Sequence, residues 1–248
     1  MQGDRERRGR GRPRGRDGGP VWSHEPRDHG RTTPRTRAEV VAAALAIADA
    51  EGFEAVSMRN VARRLGVGTM TLYSYIGSKD DLLDLMFDEV MGELLVPEPL
   101  PADWRDAITQ VARRTRAVWL RHPWMAYGLG DRSSFGPNSM RHVEQSLAAI
   151  EPLGVAGVEA FALLGAIDDY TLGHAMRQIG ADATLDRQGM TRAEWMAMMA
   201  PYWEEMIARG GFPRLEAAAG GDWELMPEER FERGLEWMIE GIAARYER

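Results

Sequence analysis

The chain has 248 residues, of which 44% are hydrophobic and none is cysteine, and its formal net charge is −7. This composition fits a folded protein long enough for a small domain and a larger one, and it excludes disulfides and thiolate metal sites. No apolar stretch reaches membrane-spanning length, and the Arg-rich amino terminus lacks the apolar segment of a secretory signal, so we expect a cytoplasmic protein.

Residues 1–34 are rich in Arg, Gly and Pro. They hold nine arginines against five acidic residues and almost no apolar side chains, so they cannot bury a core and are predicted to be a disordered basic arm. Within the arm, Arg10, Gly11, Arg12 and Pro13 resemble the core of an AT-hook, which lies in the minor groove of A·T-rich DNA. The alternative is a tail that adds only non-specific affinity for nucleic acid.

A first helix is predicted to begin at Thr36, because Thr36 and Glu39 have the spacing of a capping box. Its apolar positions recur at helical spacing and predict one inner stripe, formed by Val40, Val41, Ala44, Leu45 and Ala48. Gly52 ends this helix, and Phe53 and Val56 are expected to pack beneath the element that follows.

The segment Ser57–Lys79 has the pattern of two short helices joined by a tight turn. Ser57 is a good N-cap, and Gly66 stands where a helix end favours a left-handed residue. The first helix turns inward Val61, Ala62 and Leu65. The second turns only Leu72 inward, so it has too few apolar positions to be buried on all sides. This favours a helix-turn-helix, whose second helix enters the major groove of DNA, over an ordinary helical hairpin in a core.

Five short sequence elements follow one another along this part of the chain. They are Glu51-Gly52-Phe53, Val56-Ser57-Met58-Arg59, Leu65-Gly66-Val67, Thr71-Leu72-Tyr73 and Lys79-Asp80-Asp81-Leu82-Leu83. Together they resemble the tetracycline-repressor (TetR) family, over a region from near Arg35 to near Leu95. The resemblance implies a dimeric, all-helical transcription regulator, usually a repressor that a small ligand releases from DNA.

The residues predicted to contact DNA lie on and beside the two short helices. Arg59, at a position that can reach a base in the family, contacts either a guanine or a phosphate, and Met70 is placed to contact a thymine methyl group. Tyr73 and Lys79 are predicted phosphate contacts, as is Tyr75, for which packing against the first helix is the alternative. The predicted set is Ser57, Arg59, Gly68, Thr69, Met70, Thr71, Tyr73, Ser74, Tyr75 and Lys79.

Beyond this segment the periodicity predicts helices and no strand. A helix from Ser78 ends before the Pro-rich stretch 96–101, which is the predicted domain boundary. The remaining helices are predicted near residues 102–120, 138–150, 155–179, 192–209 and 227–246, with a short one after the break at His122-Pro123. The Gly-rich segment 210–227 is predicted to be mobile. The fold class is therefore all-α, with an amino-terminal three-helix helix-turn-helix domain and a larger helical domain.

Two of the later helices carry apolar stripes. Their members are Val158, Phe161, Gly165, Leu172 and Met176 on one helix, and Phe231, Leu235, Met238, Ile239 and Ile242 on the other. In the TetR family the equivalent helices of two subunits form a four-helix dimer interface, but the same patterns could belong to the core of a single chain. Residues 81–248 hold sixteen basic and twenty-eight acidic residues, so this acidic body is expected to point away from DNA.

Most of the bulky side chains lie in this body, where they are typical of a core. The functional interpretation is a cavity between helices that binds an apolar or aromatic small-molecule effector. Candidates combine apolar bulk with a polar tip, and they are Trp119, Tyr127, His142, Tyr170 and Trp203. The histidines do not have metal-ligand spacing, so no metal and no cofactor is expected. Without a Ser-His-Asp arrangement, a P-loop or a dinucleotide fingerprint, an enzyme is not expected either.

The leading hypothesis is a homodimeric repressor that a small-molecule effector releases from a palindromic operator in double-stranded DNA, acting at the nucleoid and not at a membrane. An architectural DNA-binding protein without an effector and a transcriptional activator are the alternatives. The predicted domains are the basic arm (1–34), the helix-turn-helix domain (35–95) and the effector-binding and dimerisation domain (96–248).

Overall fold

The computed structural model describes residues 21–23, 36–128, 136–219 and 226–247, and over these ranges the chain forms helices and turns without a strand. The all-α prediction is confirmed. The predicted minor-groove residues Arg10, Gly11, Arg12 and Pro13 lie outside the described residues.

The α-helices of the described ranges follow one another with short connections. They are α1 (Arg37–Glu51), α2 (Met58–Leu65), α3 (Thr69–Tyr75), α4 (Lys79–Glu93), α5 (Trp104–Arg121), α6 (Pro137–Ile150), α7 (Val158–Gln188), α8 (Arg192–Ala208), α9 (Pro213–Ala219) and α10 (Pro227–Tyr246). Short 3-10 helices occupy Phe53–Ala55, Pro123–Gly128 and Glu151–Leu153. None of the described helices alone has the length and apolar composition to cross a membrane; Pro137–Leu153 and Val158–Gln188 reach them only as a pair bent by 113°.

The chain divides into two compact units. The first comprises residues up to 92 together with 127–140, and the second comprises 93–126 together with 141–248.

In the first unit, α1 packs against α2 and α3. The predicted capping box is present, since Thr36 Oγ1 accepts a hydrogen bond from the Glu39 N–H at 3.2 Å and Glu39 Oε2 accepts one from the Thr36 N–H at 2.6 Å. Leu45 is only half-buried, and Ile47 takes a core position instead. The fully buried side chains include Val40, Ala44, Val56, Val61, Leu72, Leu82, Met86 and Val90.

The turn between α2 and α3 depends on one glycine. Gly66 has φ 69° and ψ 30°, in the left-handed region, and the Val67 N–H donates to the Ala62 carbonyl at 3.0 Å. This closes α2 with a hydrogen-bonded reversal that glycine adopts without the cost other residues incur there. Gly68 is extended, with φ −71° and ψ 146°, and α3 begins at Thr69.

The first turn of α6 is capped by a buried carboxylate on α4, which the sequence did not indicate. Asp88 Oδ1 accepts hydrogen bonds from the backbone N–H groups of Asn138 at 3.0 Å and Ser139 at 3.2 Å. The Asn138 side chain donates in return to the Asp88 carbonyl at 2.9 Å. A Cβ at Gly136 would overlap the Asp88 side chain, so this approach requires glycine.

In the second unit, α7 packs against both α5 and α10. Their shared apolar core includes Trp104, Ile108, Val111, Leu163, Leu164, Ile167, Phe231, Leu235 and Ile239. Each such side chain contributes about 1.5–3 kcal/mol when fully buried. The Trp104 indole N–H also donates to Glu247 Oε1 at 2.6 Å, which joins the start of α5 to the residue after α10.

One predicted helix end was wrong, and one short helix was not predicted. The helix predicted to end at 179 continues to Gln188 and is closed by the left-handed Gly189. The prediction stopped short because the last turns of this helix are largely exposed and carry no apolar periodicity. The Gly-rich segment 210–227 contains α9, a helix that was not predicted. Its Pro213 at the first helical position and its Ala-rich run favour a helix in spite of the flanking glycines.

Candidate DNA-contacting surface and body site

Helix α3 is attached to the first unit along one side only. Leu72 and the following Ile76 are fully buried, whereas Met70 is 82% exposed and Tyr73 is also exposed. Thr69 and Thr71 are half-buried on either side of Met70. A seven-residue helix held by one leucine thus presents short polar side chains and one long apolar side chain to solvent.

Two predicted contact residues on α3 are already engaged within the chain. Ser74 Oγ donates to the Thr71 carbonyl at 2.6 Å, which directs its hydroxyl along the helix. Tyr75 is half-buried and its hydroxyl oxygen is inaccessible to solvent, which favours the packing alternative for this residue. Gly68 is exposed, with no side chain to obstruct an approaching surface.

Basic side chains lie on the neighbouring helices. Arg59 is exposed in the first turn of α2, where Ser57 Oγ caps the helix by accepting from the Asn60 N–H at 3.2 Å. Lys79 is exposed at the start of α4. The predicted set did not include Arg63 and Arg64, which are exposed at the end of α2. A basic pair just before the turn was the signal that would have added them as phosphate contacts.

The five residues predicted to bind an effector occupy unlike environments. Trp119 and His142 are buried, and burial lowers the pKa of His142. The Tyr170 hydroxyl donates to the backbone carbonyl of Phe231 on α10 at 2.8 Å. Trp203 makes an edge-to-face contact with Trp195 within α8, at 5.5 Å between ring centroids. Tyr127 lies in the 3-10 helix Pro123–Gly128, and its side chain lies outside the described part of the structure.

A set of buried polar side chains stands where the apolar core of the second unit ends. We call Arg116 on α5 with Thr171 and His174 on α7 the buried polar cluster. The Arg116 guanidinium lies over the Phe231 ring at 4.9 Å, and the His174 ring meets the same ring edge-to-face at 5.4 Å. Tyr170 is stacked on Phe231 at 5.7 Å.

Several polar atoms in this cluster have no hydrogen-bond partner among the described residues. They are Arg116 Nε, Thr171 Oγ1 and both ring nitrogens of His174. Thr171 is 0% exposed and His174 2%. The other guanidinium nitrogens of Arg116 do have partners, since Nη1 donates to Glu228 and Nη2 donates to Gln178 at 2.8 Å.

More positive than negative charges act on the buried polar cluster. Burial, together with the charges of Arg116, Arg230 and Arg177, lowers the pKa of His174 to about 4, and the carboxylate of Glu228 opposes this to a smaller extent. His174 is therefore neutral at pH 7. The sequence analysis did not predict this cluster. Thr171 and His174 continue the inward helical spacing of Leu164 and Ile167, and polar residues at such core positions were the signal that could have indicated it.

The two apolar stripes face in different directions. On α10, Phe231, Leu235 and Ile239 belong to the core of their own chain, but Trp237 is 65% exposed. On α7, Val158 is 86% exposed and Phe161 is also exposed. An open groove on this outer face is lined by Ala162, Ala166, Trp237, Met238, Gly241 and Ile242, among others. A Cβ at Gly241 would meet nothing within 4 Å, whereas one at Gly234 would overlap the Tyr170 hydroxyl.

In the described ranges, no three His, Asp or Glu side chains are placed to hold a metal ion.

Two parts of the chain match known protein families. Residues 40–86 match the bacterial regulatory proteins of the tetR family, and residues 96–246 match the tetracyclin repressor-like C-terminal domain.

Individual relatives are similar over most of their length. The chain is 38% identical to the transcriptional repressor DrrR1 of Streptomyces coeruleorubidus, over 82% of this chain and 75% of that one. It is 32% identical to an HTH-type transcriptional regulator of Saccharopolyspora erythraea, over 91% and 92% of the two chains. Among solved structures, ActR of Streptomyces coelicolor in complex with actinorhodin is similar with a TM-score of 0.73 and 33% identity, covering 86% of this chain and 98% of that one.

Proposed function

Because the chain belongs to the TetR family of bacterial regulatory proteins, we propose that it is a homodimeric transcriptional repressor that a small-molecule effector releases from a palindromic operator. The observation that carries this proposal is α3, a short helix anchored by Leu72 with Met70 and Tyr73 exposed. A helix that places its polar face outward in this way is suited to the major groove.

Recognition of DNA would divide between base edges and phosphates. Thr69, Met70 and Thr71 would face the groove, where Met70 and the threonine methyl groups suit the methyl group of thymine. Arg59, Tyr73 and Lys79 would hold the helix in register on the backbone, with Arg59 also able to reach a guanine. DrrR1 bears the name of a repressor, which supports repression as the output.

Two copies of the chain would bind together. The exposed apolar stripe of α7 and Trp237 of α10 support a dimer interface, because a contiguous apolar face on a folded chain marks a surface that another molecule covers. A two-fold symmetric dimer reads a near-palindrome, with half-sites about 34 Å apart or a multiple of that distance.

Release would follow from binding of the effector in the second unit. The structure of ActR with actinorhodin supports a small-molecule effector for this chain. An effector lowers operator affinity only if it binds better to the conformation with low affinity for DNA. With this assignment, residues 35–95 are the DNA-binding domain and residues 96–248 the effector and dimerisation domain, and the protein acts at the nucleoid.

A mobility-shift assay on the DNA that flanks its own coding region tests the proposal. The wild-type chain should bind one near-palindromic duplex and prefer it to unrelated duplexes. Tyr73→Ala should weaken this binding by about tenfold or more, because it removes a phosphate contact that holds α3 in register. Tyr202→Ala changes another exposed tyrosine, on α8, and should leave binding unchanged. Equal affinity for every duplex would refute sequence-specific repression and favour the architectural alternative.

Sedimentation tests the dimer. Phe161→Arg places a charge in the outer stripe and should shift the protein toward the monomer, because a charge buried without a partner opposes association. Met140→Arg makes the same change at another exposed apolar residue, on α6, and should leave the dimer intact. A wild-type chain that sediments as a monomer at micromolar concentration would contradict the proposal.

A further inference from the structure

A short piece of the basic arm is attached to the first unit. Residues Val21–Ser23 form a 3-10 helix, in which Val21 and Trp22 are half-buried. Arg37, the first residue of α1, donates a hydrogen bond from Nη2 to the Val21 carbonyl at 3.0 Å. A tail that supplied only positive charge would not need this attachment. The contact fixes the point at which residues 1–20 join the first unit.

This point adjoins the predicted DNA-contacting surface. Burial lowers the pKa of Arg37, and the carboxylate of Asp81 in the first turn of α4 opposes that change, so the starts of α1 and α4 are close together. Lys79, a predicted phosphate contact, is exposed two residues before Asp81. Residues 1–20 therefore join the first unit beside the phosphates that Lys79 would contact.

Residues 1–20, which lie outside the described ranges, have a sequence suited to a narrow, negatively charged groove. They contain seven arginines and three acidic residues, and from Arg10 to Arg16 every second residue is Arg. In an extended backbone these arginines share one side, and the intervening Gly and Pro residues add little bulk. The minor groove of A·T-rich DNA is narrow, and its strong negative potential attracts arginine.

The distance along the chain permits this contact. Nine residues separate Arg12 from Val21, and they span about 30 Å when extended. One turn of DNA measures about 34 Å, so a major groove and the next minor groove are about 17 Å apart along the duplex. A chain attached at Val21 can therefore reach the minor groove while α3 occupies the major groove.

We propose that residues 10–16 bind the minor groove of A·T-rich DNA beside each half-site, and that the contact between Arg37 and Val21 holds them there. The operator then extends beyond the base pairs that α3 contacts. This inference rests on the proposed function, because α3 must first place the first unit on its operator.

The test measures dissociation constants of the full chain on three duplexes. They share the half-sites and differ only in the base pairs that adjoin them, which are A·T, G·C or inosine·C. Inosine·C resembles A·T in the minor groove, because it lacks the amino group of guanine there, and it resembles G·C in the major groove. The wild-type chain should bind the A·T and inosine·C duplexes about tenfold or more tightly than the G·C duplex.

Two outcomes with the wild-type chain would overturn the proposal. Equal affinity for the three duplexes would show that the arm supplies only non-specific attraction. A preference for the A·T duplex over both others would show that the adjoining base pairs are recognised in the major groove.

Paired variants locate the contact within the arm. Arg10→Ala combined with Arg12→Ala should reduce the preference for A·T and inosine·C to about twofold or less, because two minor-groove arginines are removed. Arg5→Ala combined with Arg7→Ala removes the same charge outside the alternating run. It should weaken binding to the three duplexes alike and keep the preference. The same loss of preference in both variants would overturn the assignment to residues 10–16.

A double-mutant cycle tests the attachment. Arg37→Ala should weaken binding to the A·T duplex by about three- to tenfold, because the arm is less concentrated near the groove, and should leave binding to the G·C duplex unchanged. In the Arg10→Ala and Arg12→Ala background it should have no further effect. Trp22→Ala, which changes no residue of α1, should act in the same direction. An equal loss with Arg37→Ala in both backgrounds would overturn its role as an anchor.

The same titrations distinguish this inference from the proposed function. Specific operator binding with equal affinity for the three duplexes would overturn this inference and leave the repressor proposal intact. A preference for A·T and inosine·C on duplexes with and without half-sites alike would overturn sequence-specific repression, and minor-groove binding by residues 10–16 would stand.

Discussion

The first and second units place their candidate functional groups in opposite ways. In the first unit these groups are on the surface: Arg59, Met70, Tyr73 and Lys79 are exposed, and the helix that carries two of them is held by Leu72. In the second unit they are buried, and Arg116, Thr171 and His174 replace apolar residues inside a core. Substitutions at these surface residues of the first unit can therefore alter binding with little effect on folding. Substitutions in the buried polar cluster alter stability and binding together.

The largest expected effect tests the single anchor of α3. Leu72→Ala should destabilise the first unit by about 2–5 kcal/mol, because it removes a fully buried side chain and leaves a cavity. Hydrogen exchange measured by mass spectrometry should quicken in α1 to α4 and not in α5, α7 or α10. Leu215→Ala on α9, where the leucine is exposed, is the control and should change exchange in neither unit. Equal acceleration in both units would show that they do not unfold separately.

The next effect belongs to the second unit and depends on pH. Because the pKa of His174 is about 4 when folded and 6.5 is its ordinary value, the unfolded chain binds a proton at higher pH than the folded chain does. The stabilisation by neutral His174 is complete above about pH 6.5 and is lost as pH falls toward 4, a change on the order of 3 kcal/mol. Urea unfolding followed by tryptophan fluorescence at pH 7.5 and pH 5 measures it.

His174→Phe is the matched variant for this measurement. It keeps an aromatic ring against Phe231 and removes the titrating group, so its stability should fall less between pH 7.5 and pH 5 than that of the wild type. The lowered pKa of His142 contributes to both proteins and is removed by the comparison. The same pH dependence in the variant and the wild type would show that His174 does not titrate in this range.

A smaller effect distinguishes two kinds of contact on the surface of the first unit. Arg59→Ala should cost about 1–3 kcal/mol on the preferred operator and relax the choice of one base pair, if Arg59 reads a guanine. Lys79→Ala should weaken binding to all duplexes alike and reduce the slope of log affinity against log salt by about 1. Titrations of matched and singly mismatched duplexes at several salt concentrations separate the two outcomes. A uniform loss with Arg59→Ala would assign it to a phosphate.

The smallest expected effect comes from removing one helix N-cap in each unit. Ser57 caps α2 and Thr191 caps α8, each by accepting from the backbone N–H three residues later. Ser57→Ala and Thr191→Ala should each cost about 1 kcal/mol locally. Only Ser57→Ala should weaken operator binding, because α2 supports the turn that leads to α3. If Thr191→Ala weakened operator binding to the same extent, the separation of roles between the units would be wrong.

Local sequence signals were sufficient to predict much of the fold of the first unit and the resemblance to the family. The caps at Thr36 and Ser57 join residues three apart in the sequence, and the left-handed turn depends on Gly66 itself, so these features could be predicted from the sequence alone. The DNA-contacting set stays a prediction; Met70 and Tyr73 are exposed, and Tyr75 is half-buried.

Only the tertiary structure decided which side chains meet across the second unit. The apolar stripe of α10 was compatible with a core or an interface, and packing against α5 and α7 assigns Phe231, Leu235 and Ile239 to the core and leaves Trp237 outside. The same packing brings Arg116 and His174 to Phe231, from three helices far apart in the chain. Helical periodicity determines which residues share a face, because it is a local property; it does not determine what that face packs against, since that depends on the free energy of the whole assembled core.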